Sequence, residues 1–182
     1  MDKDQAAELT EDGRYLVISG RKWRASDPGI PPKLRQELVD ELMSARREIG
    51  RGNEEARSRV HDAKLALGER GQPWWEEPRE DKLDERIRAT IFTLLRKRQG
   101  SSICPSDVAR VVGGEGERWR TLMESVRQIV ASLAADGTLR VTKHGQDVDL
   151  HTVRGPVRLH LTGMNPSEKE RAESDERQRE TE

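Results

Sequence analysis

Ser102-Ile103-Cys104-Pro105-Ser106-Asp107-Val108-Ala109-Arg110-Val111-Val112-Gly113-Gly114 decides how the second half of this sequence is read. Ser102–Cys104 suits one short strand. Pro105 lacks an N–H and has a fixed φ, so it fits the first turn of a helix. Val108, Val111 and Val112 form the inward face of that helix, and Gly113-Gly114 opens a loop through Glu117. Upstream, Leu83, Ile87, Ile91, Leu94 and Leu95 recur at helical spacing and predict an amphipathic helix ending at Gly100. Downstream, Trp119, Leu122, Met123, Val126, Val130 and Leu133 share one face of a third helix, which stops at Asp136-Gly137. Leu139 and Val141 alternate with Arg140 and Thr142, and Lys143-His144-Gly145-Gln146 makes a turn. Val157, Leu159 and Leu161 then alternate with Arg158 and His160 as a returning strand. The order helix, short strand, helix, helix, strand, turn, strand predicts a winged-helix-like domain over residues 83–162.

Before it, residues 78–82 read as a linker and residues 14–77 as a separate module. Tyr15-Leu16-Val17-Ile18 and Lys22-Trp23-Arg24-Ala25 flank Ser19-Gly20-Arg21, which predicts a β-hairpin. Asp27-Pro28-Gly29-Ile30-Pro31-Pro32 forbids regular structure and starts a helix. Leu34, Leu38, Leu42 and Ile49 carry that helix, and Ala56, Val60, Ala63 and Leu67 carry a second, antiparallel one. Residues 1–13 and 163–182 are polar and are expected to be disordered. The fold class is therefore mainly α with small β (α+β).

Composition narrows the function classes. Of 182 residues, 37% are charged and 32% hydrophobic, against the usual quarter or so and nearly half. Small cores can form; a large one cannot. A single cysteine, Cys104, excludes an internal disulfide and predicts a reducing, cytoplasmic setting. No run approaches the roughly 20 apolar residues of a membrane span. Net charge is −1 but uneven. Residues 1–80 hold 15 basic and 17 acidic side chains, residues 81–164 hold 14 and 10, and residues 165–182 hold 4 and 7. The positive middle segment mildly favours a polyanion partner.

Several ordered motifs resemble a known family. Ile103-Cys104-Pro105-Ser106-Asp107-Val108-Ala109-Arg110, Trp119-Arg120-Thr121-Leu122-Met123, Asp136-Gly137-Thr138-Leu139, Val148-Asp149 and Arg154-Gly155-Pro156-Val157-Arg158-Leu159 are similar to domain of unknown function 3253 over about residues 82–162. Tyr15 to Pro28, Ala63 to Gly71 and Pro73-Trp74-Trp75 are similar to the region that accompanies this domain in some bacterial proteins. The resemblance implies a winged-helix-like fold in bacterial proteins and no established activity.

A winged helix reads DNA with its third helix and touches backbone with its wing. The outward stripe of the third helix is Arg120, Glu124, Arg127, Gln128 and Ala131. Arg forks onto guanine and Gln pairs with adenine, so Arg120, Arg127 and Gln128 suit base reading. Arg140, Lys143 and His144 suit phosphate contacts at the wing. The bland alternative is a solvated face laced with ion pairs. Trp74 and Trp75 could shelve a ligand or partner, but such a pair more often packs onto neighbouring helices. Trp23 and Trp119 read as core anchors. The four histidines lie far apart and there is no CxxC, so neither a structural zinc site nor any other metal is expected. Cys104 has no placed activator, and no catalytic constellation is visible, so no cofactor is expected either. The reading is a non-enzymatic nucleic-acid-binding adaptor or regulator, with DNA or RNA as partner. A protein-protein interaction module is the alternative, and a small-molecule-sensing regulator the third.

Overall fold

The computed structural model describes residues 7–162. The expectations of disorder for residues 1–6 and 163–182 lie outside them. Residues 7–13, expected to be disordered as well, are ordered in part: Glu8–Leu9 forms β1. It pairs antiparallel with β2 (Tyr15–Ile18), which pairs with β3 (Arg21–Arg24). The β2–β3 turn is Ser19-Gly20, both at positive φ (50° and 74°), as a two-residue primed turn demands.

Helix α1 (Pro32–Gly50) starts with Pro at its first position and buries Leu34, Leu38, Leu42 and Ala45. α2 (Ala56–Ala66) returns beside it and buries Ala56, Ala63, Leu65 and Ala66. α3 runs from Glu80 to Lys97, so the expected linker at 78–82 is helical from Glu80 onward. Every residue from Ala89 to Leu95 is buried. A helical stretch buried on all sides belongs between other elements, and α3 packs against α1 and α2 and against α4 (Pro105–Gly113) and α6 (Met123–Ala135). Thr90 and Thr93, fully buried within it, donate their hydroxyls to the carbonyls of Arg86 and Ala89 at 2.7 Å each. One hydrophobic cluster consequently runs from Ile30, Leu38 and Leu67 through Ile91 and Leu94 to Val130 and Leu159.

The expected third helix is interrupted at Leu122, giving a four-residue α5 (Arg118–Thr121) ahead of α6. α5 sits close on α4: a Cβ on Gly113 would lie 2.7 Å from the Trp119 Cα. The second sheet has the order β5 (Gln146–Asp147), β4 (Leu139–Lys143), β6 (Arg158–Leu161). Ser102–Cys104 contributes one bridge, Ile103 exchanging both backbone bonds with Leu159 (3.1 and 2.9 Å) on the free side of β6. Leu139, Val141, Leu159 and Ile103 face the core.

The halves are also joined by charge. Arg86 binds Asp27 (2.9 Å), Arg96 binds Asp62 (2.6 Å), Lys97 binds Asp40 (2.9 Å) and Arg98 binds Glu37 (2.6 Å). Arg98 reaches Asp107 of α4 as well, at 2.9 Å.

Candidate functional site

The six residues expected at a nucleic-acid interface fall into two groups. On the helices, Arg120 pairs with Glu117 and lies 5.2 Å over the Trp119 ring. Arg110 lies 4.6 Å over the same ring, so Trp119 is partly packed rather than deeply buried. Arg127 is half-buried and donates to the carbonyls of Leu150 (2.9 Å) and Val153 (3.3 Å). It holds the loop between β5 and β6 against α6. Gln128 is exposed and donates to Glu124 at 3.3 Å. The open face of α5 and α6 is thus Arg120, Glu124, Gln128 and Ser132.

At the wing, Arg140 binds Asp147 at 2.9 Å and Lys143 donates to the Arg154 carbonyl at 2.6 Å. His144 occupies the β4–β5 turn at φ 51°, followed by Gly145 at 79°, with its side chain exposed. Two cations outside the expected set join this group. Register places Arg158 opposite Thr142 and His160 opposite Arg140, so all four share the outer sheet face. The Thr142 hydroxyl and His160 Nε2 lie 3.0 Å apart. Burial first, then the positive charges of Arg140 and Arg158, lower the His160 pKa, against an opposing pull from Asp147. Arg154 is exposed on the loop. The alternation of β6 was the signal for Arg158; nothing in the spacing singled out Arg154.

The positive balance of residues 81–164 has a different destination from the one expected of it. Four of its cations (Arg86, Arg96, Lys97 and Arg98) are engaged by acids of residues 27–62, their side chains 11 to 36% exposed. Arg118 stands 3.9 Å from Glu77 as a looser fifth. Much of the charge asymmetry is internal complementarity between the halves.

The two adjacent tryptophans separate. Trp74 donates its Nε1–H to the Ala25 carbonyl at 3.0 Å and packs against Gly68. It lines a cavity of about 200 Å³ between the halves, together with Leu83, Val112, Leu122 and the Asp27–Arg86 pair. Trp75 meets Trp74 edge-on (5.1 Å) and Tyr15 edge-on (5.6 Å). Arg14 and Arg24 lie 5.0 and 5.7 Å over it. Trp75 thereby anchors the first sheet.

Trp23, expected in the core, is 48% exposed. Register explains it: Leu9, Leu16 and Trp23 form one row across β1–β3, and Ile18 and Arg21 share that face. Tyr15 and Arg24 lie on the other face, which Trp75 covers. The first face carries Leu9 at 59% and Ile18 at 41% exposure, and Lys64 of α2 stands 5.8 Å from the Trp23 ring. Cys104 accepts a hydrogen bond from the Ser106 hydroxyl at 2.9 Å. Among the described residues, no three His, Cys, Asp or Glu side chains are grouped to hold a metal, and no helix is long and apolar enough to cross a membrane.

Residues 84–162 match the model of a family described as a protein of unknown function, DUF3253. No curated protein matches the chain.

Proposed function

Starting from residues 84–162 as a DUF3253 domain, we propose that the chain is a non-enzymatic nucleic-acid-binding adaptor whose C-terminal half docks on a duplex as a winged helix. The observation that carries the reading is the arrangement around α6. α3, Ile103, α4, α5–α6, β4 and β6 follow in winged-helix order, with β6 between Ile103 and β4. In that architecture α6 is the groove helix and the β4–β5 turn the wing. Arg120 and Gln128 are the base-facing candidates. Arg140, Lys143, His144, Arg154 and Arg158 are the phosphate-facing ones. Arg127 takes a supporting role, because its guanidinium is engaged by the loop carbonyls.

The sensor reading is weaker: a cavity of about 200 Å³ is smaller than the roughly 300–1,000 Å³ usual for ligand pockets. Fluorescence anisotropy with a labelled 20-base-pair duplex at two salt concentrations tests the proposal. The paired substitutions Arg154→Glu and Arg158→Glu should weaken binding at least tenfold and flatten the log–log salt slope by about 2, one unit per lost phosphate contact. Equal duplex affinity in this variant and the wild type would remove the wing from the interface. No duplex binding by the wild type at low salt would leave the protein-interaction reading in its place.

A further inference from the structure

One face of the first sheet is left largely open by the described residues. Leu9, Leu16, Ile18, Arg21 and Trp23 make up that face, and Arg21 is the only charged residue the sheet contributes to it. Isolated surface hydrophobics need no explanation, but a contiguous patch on one sheet face does. Three of the four large hydrophobics exposed among the described residues are here.

The rim is cationic. Lys64 stands over one side of the Trp23 ring at 5.8 Å. Burial lowers the Lys64 pKa, and the neighbouring Arg46 and Arg70 lower it further, while Glu69 opposes them. Glu69 is the acid that faces this cluster, and its carboxylate also accepts the Ser26 hydroxyl at 2.9 Å. Arg46 and Arg21 are exposed. Among the described residues, Arg21 on the face and Arg46, Lys64 and Arg70 beside it stand against Glu69, a balance that favours a polyanion. A second copy of the chain would bring the same cations to the same face, and like charges across an interface cost affinity.

We propose that this face binds single-stranded nucleic acid, with a base stacked on Trp23 and the flanking phosphates held by Arg21, Arg46 and Lys64. Base stacking on an exposed aromatic inside a cationic surround is the physical scheme of sequence-tolerant single-strand binding. A duplex keeps its bases stacked on each other and cannot offer one to Trp23. The site lies on β1–β3, apart from α6 and the β4–β5 wing. It shares only the class of partner with the reading above, so the two can fail independently.

The test is anisotropy of a labelled 15-nucleotide thymidine strand and a labelled 20-base-pair duplex, each titrated with the full chain and its variants at two salt concentrations. Trp23→Ala should weaken single-strand binding about tenfold or more and leave duplex binding unchanged. Trp23→Phe should retain most of it, and Arg21→Glu should lower both affinity and salt dependence. The Arg154→Glu, Arg158→Glu variant should show the reverse pattern, losing duplex and keeping single strand. Melting curves check that each variant is folded. The proposal is overturned by a wild type that does not retain the strand at low salt, or by a Trp23→Ala variant that binds it equally well. Binding of a poly-glutamate peptide without binding of the strand would also overturn it, and would assign the face to an acidic protein.

Discussion

The two small sheets are built alike and used oppositely. Each has three antiparallel strands in which one central strand pairs on both sides. Each is closed by a two-residue turn of a non-glycine residue at positive φ followed by glycine, Ser19-Gly20 in one and His144-Gly145 in the other. In the second sheet the apolar face is sealed against the helices, with Leu159 fully buried. In the first, the described residues leave the equivalent row partly open, with Leu9 and Trp23 exposed and Leu16 half-buried, and the sheet is held by its other face through Tyr15, Arg24 and Trp75. Alternation along a strand announces that a sheet has two different faces. Which of them is covered depends on elements elsewhere in the chain.

The contrast can be broken most severely from the covered side. Leu159→Ala should cost about 2–5 kcal/mol, as truncation of a fully buried leucine does, and denaturant unfolding reads it directly. Trp75→Ala removes the anchor of the open sheet. It should cost less, about 1–2 kcal/mol for a half-buried aromatic. Hydrogen exchange should then show protection lost over β1–β3 and kept over β4–β6; loss in both sheets would mean that they are one cooperative unit. Ile18→Ser on the open face should change stability by no more than about 0.5 kcal/mol, and a larger loss would show that something covers this face.

The smallest expected effect is a pH slope confined to the second sheet. The folded-state pKa of His160 lies below its ordinary value of 6.5. Above 6.5 the ring is neutral in both states and contributes no slope. As pH falls below 6.5 the unfolded chain takes up a proton that the fold resists, so stability declines until the folded ring also titrates. His160→Gln should flatten part of the melting-temperature loss as pH falls below 6.5. An unaltered profile would show that the ring is not held neutral.

Much of the local structure was legible because its signals are local. The Ser19-Gly20 turn, Pro at the start of α1 and α4, and the spacing of Leu83, Ile87, Ile91 and Leu94 each act within a few residues. What escaped the sequence depends on partners far away. Arg86 and Asp27 are 59 residues apart in sequence, so the positive balance looked like a surface feature. Trp23 looked like an anchor because tryptophans are scarce, yet strand register decides which side it faces. Arg127 sat on the outward stripe by helical spacing, and only the fold shows the Leu150 and Val153 carbonyls arriving to meet it. Trp74 was the favourable case, since packing was the expected role and Ala25 and Gly68 supply it.

The burial of Ala89–Leu95 of α3 from every side has a consequence for how the molecule comes into being. During synthesis α1 and α2 leave the ribosome first, displaying Leu34, Leu38, Leu42 and Leu67 with no helix yet available to cover them. When α3 emerges, half its circumference docks on that waiting surface and the other half becomes the new sticky edge. Only α4, α6 and the second sheet extinguish it. Construction proceeds by handing one exposed seam forward along the chain, so a nascent chain stalled just after α3 is the species that chaperones should recognise most strongly.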